Sequence, residues 1–326
     1  MTDATQLAIV KTLLYADVFS YAMYEEQIKH YLISPYKTRA RDIDRMLNTL
    51  QKKGVIIKKR GEHLYALWDK QSLFRLRVKR KRYARKKLQI AKSIGKILFF
   101  IPTIRLVGIS GSLALSNAKR SDDIDLFLIT SSGTAWVTRL LALGILELFH
   151  ARRHAKSRRL TNTICLNMIV DYNHISLPFA DRDLYSAHEV AQMKPLFDRN
   201  QTYTTFRKAN QWIGEFLKNS MGGYGERRKM CTTIPLTLPI RFFSFVLSMF
   251  EHVARGVQLL YMHSKRTREV VDAGYIRFHP DDARRWVLPR YQKRVTAFTS
   301  KSSVLEKKPI YLPLFPTLGA GSLREK

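Results

Sequence analysis

Two short apolar runs on either side of a glycine turn constrain the fold of this chain more than any other feature. Residues 105–130 read RLVGISGSLALSNAKRSDDIDLFLIT. Arg105 to Ser110 is typical of a short strand, Gly111-Ser112 interrupts it, and Leu113 to Asn117 can begin a helix. A second strand then opens at Asp123 and runs to Thr130. The segment therefore predicts two strands, with a glycine turn at the end of one and paired carboxylates at the start of the other.

The two aspartates that open the second strand, Asp123 and Asp125, are candidate metal ligands. Side chains two positions apart in a strand point to the same face, so these carboxylates are predicted to lie side by side. Adjacent carboxylates repel unless a cation lies between them, and their hard oxygens suit Mg²⁺ or Mn²⁺. Gly111 and Ser112 would let the backbone approach a phosphate closely. Together the four residues predict a site for a metal-bound nucleoside triphosphate.

This arrangement resembles the signature of the DNA polymerase beta-like nucleotidyltransferase superfamily. That signature is a hydrophobic residue, Gly, then Gly or Ser, followed after a spacer by Asp-hydrophobic-Asp-hydrophobic. Here Gly111-Ser112 is followed, ten residues later, by Asp123-Ile124-Asp125-Leu126, and Ser110 stands where a hydrophobic residue is usual. The resemblance implies an α+β fold with a mixed sheet flanked by helices, and transfer of a nucleoside monophosphate to an acceptor. It also implies that Asp123 and Asp125 bind the metals and that Gly111 and Ser112 hold the triphosphate.

Members of the superfamily usually add a third carboxylate from a later strand, and here the chain departs from the pattern. The next predicted strand is 163–171, and one of its faces would carry Thr163, Cys165, Asn167, Ile169 and Asp171. The central position is Asn167, whose amide oxygen can coordinate a metal but cannot act as a base. Asp171 shares that face at the strand end. Either Asp171 acts as the third catalytic carboxylate, or the second metal site is weak, or the domain is no longer catalytic.

Residues 1–69 have the pattern of a winged helix-turn-helix. Helical spacing of apolar residues appears near the N-terminus, at Tyr24 to Leu32 and at Arg39 to Lys53. Two β-rich runs around Arg60-Gly61-Glu62 then predict a hairpin. Basic residues on the third helix and the hairpin would contact phosphates if this unit binds DNA or RNA. The alternative is that it packs on its neighbour or binds protein.

The charge of the chain also points toward a polyanion. The 326 residues carry a formal net charge of +31, which attracts nucleic acid, nucleotides or anionic lipid. A charge bias of the source proteome would give the same value without a partner. Residues 70–100 predict a long basic connector helix, because Lys70 to Ser121 holds fifteen Lys or Arg and no acid. Its cationic face is interpreted either as a nucleic-acid contact or as a solvated surface.

The remaining segments complete the predicted organisation: a transferase domain at 101–200 and a mainly helical region at 201–326. Phe242 to Leu260 is predicted to be a buried helix rather than a membrane span, because charged residues interrupt the apolar stretch. The sequence holds two cysteines, which excludes a disulfide framework or a cysteine-rich zinc site. Together with an N-terminus that lacks the pattern of a secretory signal, this favours a cytoplasmic protein.

The remaining candidate residues each have a functional and a structural interpretation. Arg139 and the basic cluster 151–159 could each reach a phosphate, but are interpreted as a surface pair and a solvated loop. Asp122 is interpreted as a loop or capping residue. His188 and Glu189 lack metal-ligand spacing and are interpreted as structural.

Two functions from different classes follow. The leading hypothesis is a metal-dependent nucleotidyltransferase that acts on an unidentified acceptor, nucleic acid or protein. The alternative is a nucleic-acid-binding regulator, or a toxin–antitoxin-type component, whose transferase fold is degenerate. A transferase that modifies a cationic small molecule is disfavoured by the basic surface.

Overall fold

The computed structural model describes residues 2–153, 161–222, 232–234, 238–263, 270–271, 275–277 and 283–301. Within these ranges the chain is an α+β protein built on a mixed sheet, as the sequence predicts. The sequence also predicts a loop at Gly222 to Gly225, a short helical segment that begins at Phe278, and an extended tail after Lys301. Of these segments and the basic cluster 151–159, residues 154–159, 223–225, 278–282 and the tail lie outside the described residues.

The helices are α1 Thr2–Val18, α2 Glu25–His30, α3 Ala40–Lys52, α4 Ser72–Leu98, α5 Gly111–Ala114, α6 Ala135–Leu148, α7 Leu184–Gln192, α8 Thr202–Ala209, α9 Leu238–Ser248, α10 Glu251–His263 and α11 Arg284–Lys301. The strands are β1 Met23–Tyr24, β2 Ile56–Lys58, β3 Leu64–Leu67, β4 Ile104–Ile109, β5 Ile124–Thr130, β6 Ile164–Asp171, β7 Lys194–Arg199, β8 Thr232–Ile234, β9 Val270–Val271 and β10 Tyr275–Arg277. Short 3-10 turns lie at Tyr172–His174, Phe179–Asp181, Gln211–Glu215 and Lys218–Met221.

The N-terminal segment has the predicted order of three helices followed by an antiparallel hairpin, β2–β3, to which β1 adds a third strand. Its helices do not form a core of their own, because α1 packs on α11 from the other end of the chain. Asp17 and Arg294 form an ion pair at 2.8 Å. The rings of Tyr15 and Tyr291 meet edge to face with centroids 5.4 Å apart. The N-terminal helices and the C-terminal helix therefore share one hydrophobic core.

The large sheet has the strand order β8-β7-β4-β5-β6-β10-β9 within the described residues. The antiparallel pair β4–β5 and the parallel pair β5–β6 form its centre, and α6 makes the crossover between the two parallel strands. Ile104, Leu106 and Val107 of β4 are fully buried, as are Leu126 and Leu128 of β5. Strands buried on both faces read as continuous apolar runs, which is why the sequence predicts these two clearly.

Strand β7 is not predicted by the sequence. Its residues, KPLFDR, include a proline and charged residues instead of an apolar run. Pro195 lies opposite Gly108 of β4 at a shift in the strand register, where the missing N–H of a proline is tolerated. The pairing with β4 is thus decided by the neighbouring strand and not by local preference.

Helix α4 is the predicted basic connector, but its basic residues divide between two environments. Eight of them are exposed and form a cationic face, namely Arg75, Lys79, Lys81, Arg82, Arg85, Lys86, Lys92 and Lys96. Arg77, Arg80 and Lys87 are instead buried. Arg77 donates to the backbone carbonyls of Leu115 and Ser116 at 3.0 and 2.7 Å. The buried cations therefore hold the segment that leads to the paired aspartates.

Replacing Arg80 with leucine is expected to lower the free energy of unfolding by about 2–4 kcal/mol, because it leaves buried acceptors without their donor. Arg80 donates to the carbonyls of Phe19 and Ser20 at 2.9 and 3.1 Å and to the side chain of Asn117 at 3.2 Å. Urea unfolding followed by circular dichroism measures the loss. The exposed neighbour Arg82→Leu is the matched control, expected to change stability by no more than about 0.5 kcal/mol. Equal effects of the two substitutions would contradict a bonding role for Arg80.

The prediction of one buried helix from Phe242 to Leu260 is wrong. The segment forms two helices, α9 and α10, which meet at Met249 and Phe250, and Phe242, Met249 and Leu260 are exposed. The apolar composition suggested burial, whereas in the structure only one narrow side of each helix packs on the core. In the part of the chain that the structure describes, no helix combines the length and the apolar character needed to cross a membrane.

Candidate active site

The ends of β4 and β5 bring the glycine turn against the second aspartate. Ile109 pairs with Leu126, and the amide of Ser110 donates to the carbonyl of Asp125 at 3.2 Å. Gly111 follows with a φ of +58°, a conformation that favours glycine. A Cβ added to Gly111 would lie 2.8 Å from Oδ2 of Asp125. The absent side chain therefore lets the carboxylate lie directly against the backbone of the turn.

Three side chains that can hold a metal converge beside this turn. One ligand atom each from Asp123, Asp125 and Cys165 lies within 4.8 Å of the others. Cys165 is brought there by the parallel pairing of β5 with β6, which aligns it with Asp125. Burial raises the pKa of the Cys165 thiol to about 12, with the two aspartates adding to the effect, so at neutral pH it is not the thiolate that metals bind. The oxygens of Asp123 and Asp125 are hard ligands of the kind that suit Mg²⁺ or Mn²⁺, and Asp125 would give up its proton to a bound cation.

Asp125 is electrostatically strained without a cation. Burial, and then the charges of Asp123 and Glu189, raises the pKa of Asp125 to about 8. Its Oδ1 is buried and has no hydrogen-bond partner among the described residues. A buried carboxylate oxygen without a donor is costly, and a bound cation would relieve both the missing bond and the repulsion.

Arg153 is the only described residue that forms a salt bridge with Asp123. Its Nη1 lies 2.5 Å from Oδ2 of Asp123 and 3.7 Å from Sγ of Cys165. This residue belongs to the basic cluster predicted at 151–159, but it contacts the aspartate instead of forming part of a solvated loop. A cation that uses this oxygen of Asp123 must share it with the guanidinium or displace it.

The loop between the glycine turn and the aspartates is held by Asp122 and Lys87. The carboxylate of Asp122 accepts from the amide of Lys119 at 2.8 Å and from Oγ of Ser112 at 3.1 Å. Lys87 donates to the carbonyl of Asp122 and to the side chain of Asn162. Asp122, predicted to be a loop or capping residue, is a loop residue, and these bonds position Ser112 next to the aspartate pair.

A bulge in β6 changes the face on which its later residues lie. Leu166 pairs with Leu126, but Phe127 pairs with Met168, so Asn167 is the extra residue. Asn167 donates to Oγ of Ser110 at 3.2 Å, across β5 on the face that carries Asp125. The amide oxygen of Asn167 is buried and, in the described residues, without a hydrogen-bond partner. Asn167 thus lies at the site, as the position in the strand predicts.

The same bulge moves Asp171 to the opposite face, which corrects the prediction that it shares a face with Asn167. Asp171 pairs with Thr130, six residues beyond Cys165, and is about 20 Å further along the strand. There its carboxylate accepts from the amides of Gly133 at 2.5 Å and Asn173 at 2.8 Å. The structure does not bring Asp171 to the aspartate pair; it makes Asp171 the cap of the turn after β6.

Glu189 on α7, interpreted from the sequence as structural, is a further carboxylate whose charge acts on the site. Its charge is close enough to Asp125 to raise the pKa of that group, and burial raises the pKa of Glu189 itself to about 7. Its neighbour His188 is structural, as predicted, since it stacks on Tyr15 with ring centroids 4.0 Å apart. Helix α7 packs against the turn that contains Gly111. No residue spacing within α7 predicts that this helix lies against the Gly111 turn, because tertiary packing alone brings the two together.

Arg139 and the described part of the basic cluster 151–159, which are candidate phosphate contacts in the sequence, have partners within the protein. Arg139 is predicted to form a surface pair, but it donates to the buried side chain of Gln258 on α10. Of the basic cluster 151–159, the described part is Ala151 to Arg153, and Arg152 forms an ion pair with Glu147 at 3.3 Å.

Comparison of the chain with known proteins finds no matching family model. It finds no similar curated protein and no similar solved structure. The function is therefore inferred from the side chains of the site and their geometry.

Proposed function

We propose that this chain is a metal-dependent nucleotidyltransferase that moves a nucleoside monophosphate from a nucleoside triphosphate to an acceptor hydroxyl. The observation that carries the proposal is the contact between Gly111 and Asp125 at the adjoining ends of β4 and β5. The left-handed Gly111 lets the Asp125 carboxylate lie against the backbone of the turn, and Asp123 lies beside Asp125. The reaction needs hard metal ligands next to a turn that a triphosphate can approach, and this arrangement supports both.

Each residue of the site has a role in the transfer. A bound Mg²⁺ or Mn²⁺ would supply charge neutralisation at the triphosphate, held by Asp123 and Asp125. The backbone at Gly111 and Ser112 would bind the phosphate oxygens, since the Ser112 hydroxyl already donates to Asp122. The acceptor oxygen forms a bond to the α-phosphorus, the bond from that phosphorus to the β-phosphate oxygen breaks, and pyrophosphate leaves. The proton of the acceptor hydroxyl passes to a base.

Glu189 is the proposed base, because α7 packs on the Gly111 turn and the charge of Glu189 acts on Asp125. A general base works best when its pKa lies near the operating pH, and that of Glu189 is raised to about 7. Asn167 cannot take the proton, and Asp171 lies at the far end of β6 with both of its oxygens bonded to amides. The third carboxylate of the site therefore comes from a helix in this proposal and not from a strand.

The basic surface supports a nucleic-acid acceptor. Helix α4 exposes eight cations, and the N-terminal helices and hairpin resemble a winged helix. DNA or RNA bound there would have its phosphates neutralised, and binding would weaken as salt rises. The second candidate function is a nucleic-acid-binding regulator without turnover, which Asn167 favours because it replaces a catalytic carboxylate.

Labelled transfer distinguishes the two functions. Purified full-length chain is incubated with each α-phosphate-labelled nucleoside triphosphate, Mg²⁺ or Mn²⁺, and cellular RNA, DNA or protein in turn. The enzyme is expected to label one acceptor class, and the Asp123→Asn/Asp125→Asn double variant is expected to label none. Nucleotide binding without label in any acceptor would favour the regulator, and equal labelling by the double variant would refute the metal site.

The same assay distinguishes the two candidates for the third carboxylate. Glu189→Gln is expected to lower turnover by about 10²–10³-fold, the size of effect typical for loss of a general base. Asp171→Asn is expected to leave turnover within a few-fold of the starting protein. A large loss in Asp171→Asn with a folded circular dichroism spectrum, and none in Glu189→Gln, would reverse the assignment.

A further inference from the structure

Helices α9 and α10 contact the rest of the protein through a narrow polar side. Ser244 donates to the carbonyl of Pro102 at 2.9 Å, and Gln258 donates to the carbonyl of Trp136 at 2.8 Å. Both carboxylate oxygens of Glu251 accept from backbone amides at the start of α6, each at 2.8 Å. These bonds orient the pair of helices and leave the opposite side free of contacts with the core.

The opposite sides of the two helices carry exposed apolar side chains, here together called the hairpin face. Its eight members are 56–80% exposed: Phe242, Phe243, Phe245, Met249, Phe250, Val253, Val257 and Leu260. Residues three and four apart lie on one side of a helix, so Phe242 and Phe245 align on α9, and Val253, Val257 and Leu260 align on α10. Met249 and Phe250 lie in the junction between the two helices. Four of the eight are phenylalanines. A monomeric soluble surface rarely exposes so many large apolar side chains together, and such a patch marks an interaction site.

The charged side chains that point to solvent around the hairpin face are basic. Within residues 238–263 the sole acidic residue is Glu251, and it faces inward onto α6. Arg241 is exposed on α9, and Arg255 is partly exposed on α10. The chain as a whole carries a net charge of +31. The hairpin face therefore has no acidic side chain that points to solvent, and it belongs to a strongly cationic protein. Both features are complementary to a surface that has an anionic outer layer over an apolar interior.

We propose that the hairpin face docks on an anionic lipid surface, with its phenylalanines inserted at the boundary between headgroups and acyl chains. The two helices have 11 and 13 residues, which is too short to span a bilayer but suitable for lying in its interface. Lipid headgroups of negative charge attract the cationic surface while the acyl region takes the apolar side chains.

Two other occupants fit the hairpin face less well. A second copy of the chain would bring two charges of +31 together, which opposes association. Nucleic acid would satisfy the charge, but a phosphate backbone offers no apolar region for eight exposed side chains. The lipid surface satisfies both features at once.

Vesicle co-sedimentation of the full-length protein tests the proposal. The vesicles are phosphatidylcholine alone or phosphatidylcholine with about one-third phosphatidylserine, at about 0.15 M NaCl. We expect the protein to sediment with the anionic vesicles and much less with the neutral ones. Phe245→Ser/Val253→Ser is expected to lower partitioning by about tenfold or more, because each lost side chain removes apolar area from the acyl region. Both substituted residues are exposed, so the variant should keep the thermal unfolding midpoint of the starting protein.

The control variant is Phe179→Ser, which changes an exposed phenylalanine on a different element and should leave partitioning unchanged. Equal co-sedimentation of the starting protein and the double variant would overturn the proposal. A second outcome would also overturn the proposal. In it, the starting protein does not sediment with anionic vesicles and is a dimer by light scattering, whereas the double variant is a monomer. The hairpin face would then be a contact between two copies.

Discussion

Replacing Asp125 with asparagine is expected to stabilise the metal-free protein at pH 8 and above while it abolishes nucleotide transfer. The pKa of Asp125 is raised to about 8, chiefly by burial, from an ordinary value near 3.8. The folded state therefore binds a proton more tightly than the unfolded state does. The stability that this proton contributes is fully present below about pH 4 and is lost as the pH rises through 8.

Asparagine has no charge to bury, so the free energy of unfolding of the variant should not fall as the pH rises through 8. At pH 8 to 9 we expect the variant to exceed the starting protein by about 2 kcal/mol or more in free energy of unfolding, as one pKa unit corresponds to about 1.4 kcal/mol. Mg²⁺ should stabilise the starting protein by mass action and have no effect on the variant. Transfer should fall by about 10³-fold, because the reacting phosphates lose a metal ligand.

Urea unfolding at a series of pH values, with and without Mg²⁺, measures both effects. Asp69→Asn is the matched control, because Asp69 is exposed beside Lys70 and its loss should change neither the pH profile nor the response to Mg²⁺. A variant that is less stable than the starting protein at pH 9 without metal would show that Asp125 is not electrostatically strained.

The second large effect is expected from Gly111→Ala, compared with Gly133→Ala. Both glycines have positive φ angles, +58° and +64°, so both substitutions incur a similar left-handed backbone penalty of about 1–2 kcal/mol. A Cβ at Gly133 meets nothing within 4 Å, whereas one at Gly111 would lie 2.8 Å from the Asp125 carboxylate. Gly111→Ala must therefore move that carboxylate or the turn.

We expect the two alanine variants to differ in activity more than in stability. Displacing a catalytic group by about 1 Å can cost about 10²-fold in rate, and Gly111→Ala should show a loss of that order. Gly133→Ala should transfer nucleotide at nearly the starting rate. Isothermal titration with Mg²⁺ and labelled transfer measure the difference. If Gly133→Ala loses as much activity as Gly111→Ala, the cause is backbone strain and not the contact with Asp125.

The centre of the fold could be predicted from the sequence because its signals are local. Buried strands read as apolar runs, and a glycine with two aspartates at set spacing marks the ends of β4 and β5. The helices and hairpin of residues 2–67 follow from apolar periodicity and from the turn around Gly61. Gly111, Ser112, Asp123 and Asp125 all lie within fifteen consecutive residues, so local sequence is enough to predict that they come together.

Other features depend on partners that are distant in the chain. The alternation of β6 predicts that Asp171 faces the aspartates, but pairing with β5 introduces a bulge at Asn167 and reverses its side. The basic residues of α4 look alike in sequence, and only packing distinguishes the buried Arg80 from the exposed Arg82. The apolar stretch from Phe242 to Leu260 has the composition of a core helix, yet the core has space for only one side of it.

The sequence by itself determined the strand–turn–strand unit and its carboxylate pair, because neighbouring residues create them through backbone geometry and side-chain alternation. Only the tertiary structure decided that the charge of Glu189 acts on Asp125, that Arg153 forms a salt bridge with Asp123 and that the hairpin face remains exposed. These contacts join segments tens of residues apart. They form because burying the whole core outweighs the secondary-structure preference of any one segment. The residue pattern within a single segment therefore does not predict them.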